Sequence, residues 1–209
     1  MSLFEVKPYD REVYEKELKD FLPQKILDVH THVYLKEFFP PKPLAPGEVK
    51  RTVTWPSLVA ADDSIEDLQE TYRLMLPGKD VTALMFSNSG RSQQANDYVA
   101  DASRRSGFPA LYFSAPEESP EELERQIRKG GFLGIKGYLS LSPKYIPEAE
   151  IRIFDFFPKA QLKKMDEMGA IVMLHIPRNG RLKDPVNLAQ IMEIKQEFPN
   201  IRLIIAHIG

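Results

Sequence analysis

Residues 26–35 read ILDVHTHVYL, an apolar segment in which two histidines lie one residue apart. Its β-branched and apolar residues are typical of a buried parallel strand. Strand alternation puts Asp28, His30 and His32 on one face and the residues between them on the other. If that face points inward, two imidazoles project from one strand end and can bind one cation. A lone His-x-His pair is a weak signal, so the rest of the chain must decide its meaning.

The rest of the chain alternates between apolar runs and amphipathic stretches. Helical signals include Ser119 as an N-cap, Pro120 at the first helical position and Gly107 as a helix stop. From the second strand onward the repeat is roughly 30 residues, the size of a βα unit. The five further apolar runs are DVTALMFS (80–87), PALYFS (109–114), FLGIKGYL (132–139), AIVMLHI (170–176) and IRLIIAHI (201–208).

Strand–helix alternation is compatible with an open doubly wound sheet or a closed (β/α)₈ barrel of the TIM type. No glycine-rich phosphate loop follows the first strand, which disfavours a nucleotide-binding open sheet. Polar residues of chemical interest end several different strands, which favours the barrel. About six βα units are present where a barrel has eight, so we expect the sequence to be the front part of a longer chain.

The predicted domain organisation has two parts. Residues 1–25 form an N-terminal helical extension, and residues 26–209 form the partial barrel. Within the barrel, residues 33–62 form a long β1–α1 connection, and four of the chain's 17 prolines lie between Phe39 and Gly47. Long connections of this kind are often lids over active sites. A surface excursion or packing arm is the alternative.

Composition excludes several classes of protein. A net charge of −2 gives no reason to expect nucleic acid or an anionic membrane surface. No apolar run approaches the roughly 20 residues of a membrane-spanning helix. The chain has no cysteine, so a transition-metal site must use histidine, carboxylates or a modified lysine. A cytoplasmic protein is the default expectation.

All four histidines of the chain end apolar runs, and none lies in a predicted helix. His30 and His32 close the first strand, His175 closes AIVMLH and His207 closes LIIAH. Because the carboxyl ends of barrel strands meet at one rim, we predict that the four imidazoles surround a divalent metal. Scattered structural histidines, each satisfied by a hydrogen bond, are the alternative.

These motifs resemble the amidohydrolase superfamily, which carries His-x-His on the first strand and histidines ending the fifth and sixth. DVHTH, GIKGYL, LHIP and PNIRLIIAHIG are most similar to its branch of metal-dependent hydrolases and decarboxylases, over residues 26–209. The resemblance implies a barrel with one or two divalent ions, for which zinc is favoured over manganese, iron or nickel. His30, His32 and His175 match the metal ligands. His207 matches a second-metal ligand or a catalytic acid/base. The family's eighth-strand aspartate is absent from this sequence, and a homodimer or larger assembly is suggested.

Other residues have more than one interpretation. Lys136 shares a strand face with Tyr138, and it is predicted to be a carboxylated bridging ligand, an unmodified clamp for a substrate carboxylate, or a partner in a strand-end salt bridge. Arg178 is a candidate for binding substrate, or a solvated loop charge. Trp55 is a candidate for closing over substrate, or an anchor of its own loop. Asp28 is expected either to orient a ligand histidine or to pair with a neighbour.

The favoured function is metal-dependent hydrolysis of a lactone, ester or amide bond in a small molecule. A metal-activated water would attack the carbonyl, and His207 or Lys136 would stabilise developing charge. Non-oxidative decarboxylation of a small carboxylic acid is the alternative, with Lys136 and Arg178 as substrate clamps and Tyr138 nearby. A non-catalytic binding or scaffold fragment is an alternative of a different class.

Overall fold

The computed structural model describes residues 5–39, 60–88 and 92–207. Six strands alternate with helices along these residues. The strands are β1 (Lys25–His32), β2 (Asp80–Phe86), β3 (Tyr112–Phe113), β4 (Gly134–Lys136), β5 (Ile171–Leu174) and β6 (Arg202–Ile205). The helices are α1 (Pro8–Val13), α2 (Ile65–Met75), α3 (Gln93–Ser106), α4 (Pro120–Gly130), α5 (Lys159–Met168) and α6 (Pro185–Glu197).

All six strands run parallel and lie side by side in chain order. β1 pairs with β2, and β3, β4, β5 and β6 form a second ladder in that order. A parallel bridge between Met85 and Ala110 joins the two ladders. A doubly wound sheet reverses its strand order at a switch point, whereas sequential order is that of a barrel. The structure therefore confirms a partial (β/α) barrel over the open sheet.

Alternation along β2 shows how the sheet separates two apolar layers. Ala83 and Met85 belong to a large cluster shared with the helices, whereas Leu84 and Phe86 belong to a smaller cluster. The smaller cluster also contains residues of other strands, so it is the inner layer of the barrel. Its buried members are Leu84, Phe86, Leu111, Met173 and Ala206. These residues form the floor beneath the carboxyl ends of the strands.

The helix boundaries follow the local signals in the sequence. The Ser119 side chain accepts a hydrogen bond from the backbone N–H of Glu122, and Pro120 begins α4. Gly107 ends α3 in the left-handed conformation, with φ of 76°. Both predicted helix boundaries are confirmed.

The N-terminal extension contains α1, which continues as a π-helical turn over Tyr14–Leu18. The buried Tyr14 hydroxyl donates to the backbone oxygen of Pro77 at 2.6 Å, which fixes this extension beside the end of α2. Its separation from the barrel as a domain at residue 25 stays a prediction. Of the predicted lid, residues 40–59 lie outside the described residues. Along the described ranges, no helix is both long and apolar enough to cross a membrane.

Candidate metal centre

A β-bulge in β1 sets the direction of its histidines. Asp28 is opposite Ala83 and Thr31 is opposite Met85, so three steps on β1 match two steps on β2. The bulge shifts the alternation between Asp28 and Thr31. The expectation that Asp28 shares a face with the histidines is therefore wrong, because strict alternation assumes an unbroken ladder.

The Asp28 carboxylate instead faces helix α2. Its Oδ2 accepts a hydrogen bond from the Tyr72 hydroxyl at 2.9 Å, and its Oδ1 accepts the backbone N–H of His30 at 3.0 Å. The Thr31 hydroxyl lies 3.2 Å from the Tyr72 oxygen. Because Tyr72 uses its single proton on Asp28, Thr31 is the donor in that contact. The carboxylate thus ties the bulge and the backbone of His30 to α2.

Three histidines from three strand ends meet at one rim. The ligand nitrogens of His30, His175 and His207 all lie within 4.8 Å of one another. Their ring centroids are 5.5 Å apart for His30 and His175, 4.6 Å for His30 and His207, and 4.8 Å for His175 and His207. His207 has a φ of 49°, a conformation that non-glycine residues rarely adopt. The predicted convergence of distant histidines is observed for these three.

His32 lies beside this cluster rather than within it. Its ring centroid is 5.5 Å from that of His30, and the Phe86 ring packs against both in T-shaped contacts, at 5.0 Å from His30 and 4.6 Å from His32. The His32 Nδ1 lies 2.8 Å from the backbone oxygen of Ser87. Since a carbonyl oxygen can only accept, Nδ1 carries the proton and the lone pair is on Nε2. That tautomer is the one a metal ligand needs.

Lys136 is fully buried at the end of β4. Its Nζ has no hydrogen-bond partner among the described residues, and it lies 5.5 Å from the centre of the Phe86 ring and 5.7 Å from that of Tyr138. Burial lowers the pKa of the Lys136 amine well below its usual value. No carboxylate in the described ranges pairs with it, so the strand-end salt bridge is not observed.

Burial also keeps the histidines neutral. Loss of solvent, followed by the nearby Lys136, lowers the pKa of His30 to about 3 and that of His175 to about 2. Burial likewise lowers the pKa of His32 to about 4. His207 is exposed, and its pKa is lowered by burial, then by Lys136 and Arg181. Neutral imidazoles offer lone pairs to a cation at neutral pH.

The predicted substrate-binding residues have different surroundings. The Tyr138 ring lies 4.7 Å from the His175 ring, so Tyr138 borders the histidine cluster. Arg178 follows β5, and its Nε donates to the Asp184 carboxylate at 2.8 Å. That carboxylate also caps α6 through the backbone N–H of Val186. Trp55 lies outside the described residues.

Sequence reasoning missed several residues around the cluster. Tyr72 has the periodicity of an apolar helix face, so its hydroxyl contact with Asp28 gives no signal in the sequence. Phe86 ends β2, and the sequence pattern indicates only that it is a core residue.

Comparisons with known proteins agree with this geometry. The family profile described as amidohydrolase matches residues 27–209. No curated protein matches the chain. Among solved structures, an uncharacterised TIM-barrel protein from Bordetella bronchiseptica is similar at 13% identity and a TM-score of 0.50, covering 86% of this chain and 65% of that one. A dihydroorotase from Campylobacter jejuni is similar at 20% identity and a TM-score of 0.41, covering 61% of this chain and 39% of that one.

The low identities and partial coverages limit what the similarity to these solved structures shows. The Bordetella protein supports the barrel fold alone, because the identity of 13% is too low to carry a function. The chain spans 65% and 39% of the lengths of the two solved proteins, less than two thirds of either. The family match, by contrast, extends over both the His-x-His strand and the two later histidine strands.

Proposed function

Since the chain belongs to the amidohydrolase family, we propose that it carries the metal-binding residues of a small-molecule hydrolase. The observation that carries the proposal is the meeting of His30, His175 and His207, whose ligand nitrogens lie within 4.8 Å of one another. Coincidence is a poor explanation, because His30 lies on β1 whereas His175 and His207 follow β5 and β6, far from it in the chain. Imidazole nitrogens suit zinc and other divalent transition metals.

The residues present fit such an ion. A shared zinc ion has Zn–N bonds of about 2.0–2.1 Å, so small side-chain rotations would bring the three nitrogens onto it. The buried His30 Nδ1 has no partner among the described atoms. His32 adds a fourth imidazole, held by Ser87 with its Nε2 free to bind. Zinc is the proposed metal, as one ion or two.

A divalent ion held there would supply Lewis-acid chemistry, polarising a carbonyl and activating a water molecule as the nucleophile. The chain's own groups have separate tasks. His207, exposed at the rim, is placed to exchange a proton with substrate or solvent. Phe86 and the inner apolar layer keep water out from below, which strengthens electrostatic interactions at the rim. Tyr138 supplies an aromatic wall beside His175.

Lys136 supports two roles in this proposal. Burial lowers the pKa of this partnerless amine, which favours its neutral form, and a neutral amine can add to CO₂ with release of a proton, giving an anionic carbamate ligand. The same amine could instead take up the proton of an acidic substrate and pair with its carboxylate. Isotope-labelled bicarbonate separates the roles, since only the first puts ¹³C on the lysine.

Non-oxidative decarboxylation of a small acid is the second candidate. The observation that favours it is the buried Lys136 amine, which has no hydrogen-bond partner among the described residues and could take up the proton of an acidic substrate and then pair with its carboxylate. Asp28 binds Tyr72 on the helix side of β1, away from the histidine rings. Soluble cytoplasmic localisation and a homodimer remain predictions.

The experiment that tests the function is metal analysis joined to a substrate panel. The purified chain should carry a divalent metal, and His175→Ala should lose it. A panel of lactones and amides, assayed by acid release, and of aromatic carboxylates, assayed by CO₂ release, separates hydrolysis from decarboxylation. Absence of bound metal in the intact four-histidine protein would support the non-catalytic binding alternative.

A further inference from the structure

The chain contains five asparagines, and one of them, Asn179, precedes a glycine. An asparagine followed by glycine is prone to spontaneous deamidation, because a glycine nitrogen has no neighbouring side chain to hinder its attack on the asparagine amide. Asn179 and Gly180 lie exposed in the loop between β5 and α6. Whether this pair reacts depends on the contacts that surround it in the fold.

Other asparagines are held by their amide groups. Asn96 and Asn187 are buried, and the amide nitrogen of each donates to backbone oxygens. Asn200 is exposed, but its Nδ2 donates to Asp166 at 3.3 Å and a β-branched isoleucine follows it. The Asn179 amide, by contrast, has no hydrogen-bond partner among the residues that the structure describes. Its carbonyl carbon is therefore open to attack.

The backbone nitrogen of Gly180 is free to act as the nucleophile. Its N–H donates to no acceptor in the described part of the chain. One backbone hydrogen bond spans the pair, from the Arg181 N–H to the Arg178 oxygen at 3.1 Å. Asn179 and Gly180 thus form the corner of an exposed turn that a single bond closes. Such turns open locally without unfolding the elements on either side.

Packing requires a glycine at position 180. A Cβ there would lie 3.0 Å from the Asp184 Cβ and 3.2 Å from the Asp184 backbone nitrogen. Asp184 is itself held in place, because its carboxylate accepts the Arg178 Nε at 2.8 Å and the backbone N–H of Val186 at 2.9 Å. The fold therefore excludes the side chains that would shield this nitrogen. The residue that lets the loop pack also leaves it open to attack.

Backbone strain flanks the pair on both sides. Arg178 and Arg181 have φ values of 62° and 51°, in the left-handed region that non-glycine residues rarely adopt. Surrounding contacts must enforce such conformations. Asn187 supplies them from outside the pair, since its Nδ2 binds the backbone oxygens of Pro177 at 2.6 Å and Arg181 at 3.0 Å. The anchors thus fix the ends of the turn and leave its corner free to rotate.

We propose that Asn179 is a deamidation site of the folded protein. The Gly180 nitrogen loses its proton to solvent and forms a bond to Cγ of Asn179. The bond from Cγ to the amide nitrogen breaks, and that nitrogen takes a proton from solvent and leaves as ammonia. Water then opens the cyclic imide: addition at the side-chain carbonyl gives aspartate, and addition at the backbone carbonyl gives isoaspartate. Either product adds one negative charge to the loop after β5.

The products differ from the native loop in ways that affect its closure. The new carboxylate lies one residue from Arg178, so it competes with Asp184 for the guanidinium that binds Asp184 at 2.8 Å. Isoaspartate also adds a methylene to the backbone of a turn that one hydrogen bond closes. This loop follows His175 directly, so deamidation alters the β5 side of the histidine cluster as the protein ages.

Peptide mapping by mass spectrometry of the purified full chain tests the proposal. During storage at mildly alkaline pH, the peptide that contains Asn179 should gain one mass unit progressively, and isoaspartate methyltransferase should label it. Asn179→Gln should abolish the product, because glutamine would have to close a larger ring. Asn200→Gln, at the exposed asparagine that Asp166 holds, is the matched control and should leave the product at Asn179 unchanged.

The folded and unfolded chains give opposite answers if the reasoning is wrong. A peptide containing Asn179 that stays unmodified in the folded chain, but gains the mass unit in urea, would show that the fold blocks the reaction and would overturn the proposal. Modification of Asn200 as fast as that of Asn179 would also overturn it, because exposure alone would then select the site. Neither result depends on whether the chain binds a metal.

Discussion

Tyr72→Phe tests how a residue on an outer helix controls the metal centre. The substitution removes one oxygen, which donates to Asp28 Oδ2 at 2.9 Å and contacts Thr31 at 3.2 Å. The ring itself stays, so the packing of α2 on β1 is nearly unchanged. Asp28 then keeps its bond to the His30 backbone but loses its tie to the helix.

The magnitude follows from the chemistry of that contact. A hydrogen bond to a charged group contributes about 1.5–3 kcal/mol, and leaving the partner buried without one costs about as much. We therefore expect the metal-free protein to lose about 2 kcal/mol of unfolding free energy. Loosening the bulge also lets His30 turn away from His175 and His207, and loss of such supporting contacts typically lowers metal affinity by about 10–100-fold.

Two measurements separate these effects. Urea unfolding of the metal-free protein gives the stability change, and competition with a chromophoric chelator gives zinc affinity. Tyr98→Phe is the matched control, since the Tyr98 hydroxyl accepts the backbone N–H of Ile65 at 3.0 Å, a contact that involves neither Asp28 nor the bulge. It should lose stability but keep zinc affinity. Equal zinc affinity in Tyr72→Phe and wild type would refute the idea that the bulge positions His30.

Three other perturbations have defined outcomes. Lys136→Met removes a buried amine without a partner, so it should raise the unfolding free energy of the metal-free protein by about 1–3 kcal/mol. It should also abolish any ¹³C label taken up from bicarbonate. A lower unfolding free energy in the variant would contradict the first expectation. Burial, then Asp67, raises the pKa of Asp63 to about 6, above its value in the unfolded chain. The folded state therefore binds this proton more tightly, and the destabilisation is present above pH 6 and fades as the pH falls towards 4. Asp63→Asn should stabilise the protein by about 1–2 kcal/mol at pH 7.5 and by little near pH 4, measured by urea unfolding; a pH-independent effect would rule this out. A Cβ at Gly134 would lie 1.9 Å from the backbone oxygen of Ile171. Gly134→Ala should therefore force β4 and β5 apart and lower the unfolding free energy by about 3 kcal/mol or more. An unchanged melting temperature would be inconsistent with the register of β4 and β5.

Much of the fold could be predicted from the sequence because its signals are local. Apolar runs of strand length, separated by capped helices, indicate a parallel βα repeat before any contact is known. The positions of His175 and His207 at strand ends follow from the same pattern. Because the carboxyl ends of barrel strands meet at one rim, these two histidines are expected to lie close together. In the structure His30 joins them, with all three ligand nitrogens within 4.8 Å of one another.

The rest depends on contacts that no local pattern contains. The bulge in β1 arises from pairing with β2, so the outward turn of Asp28 could not be predicted from alternation. Its partner Tyr72 lies 44 residues away in the chain. The contact of Arg178 with Asp184 depends on the path of the loop after β5, which Asn187 anchors by binding the backbone oxygens of Pro177 and Arg181. Such distant contacts decide the direction of side chains after the elements themselves are fixed.

Elemental analysis of the purified chain is the sharpest test of a metal site formed by the three histidines. We expect one or two equivalents of a divalent metal per chain, zinc first among them, and a loss of that metal when His30, His175 and His207 are all replaced by alanine. The unfolding free energy of the metal-free chain should be nearly the same before and after these substitutions, so that the lost metal is not a sign of lost fold. Equal metal content with and without the three imidazoles would show that these histidines do not hold the ion.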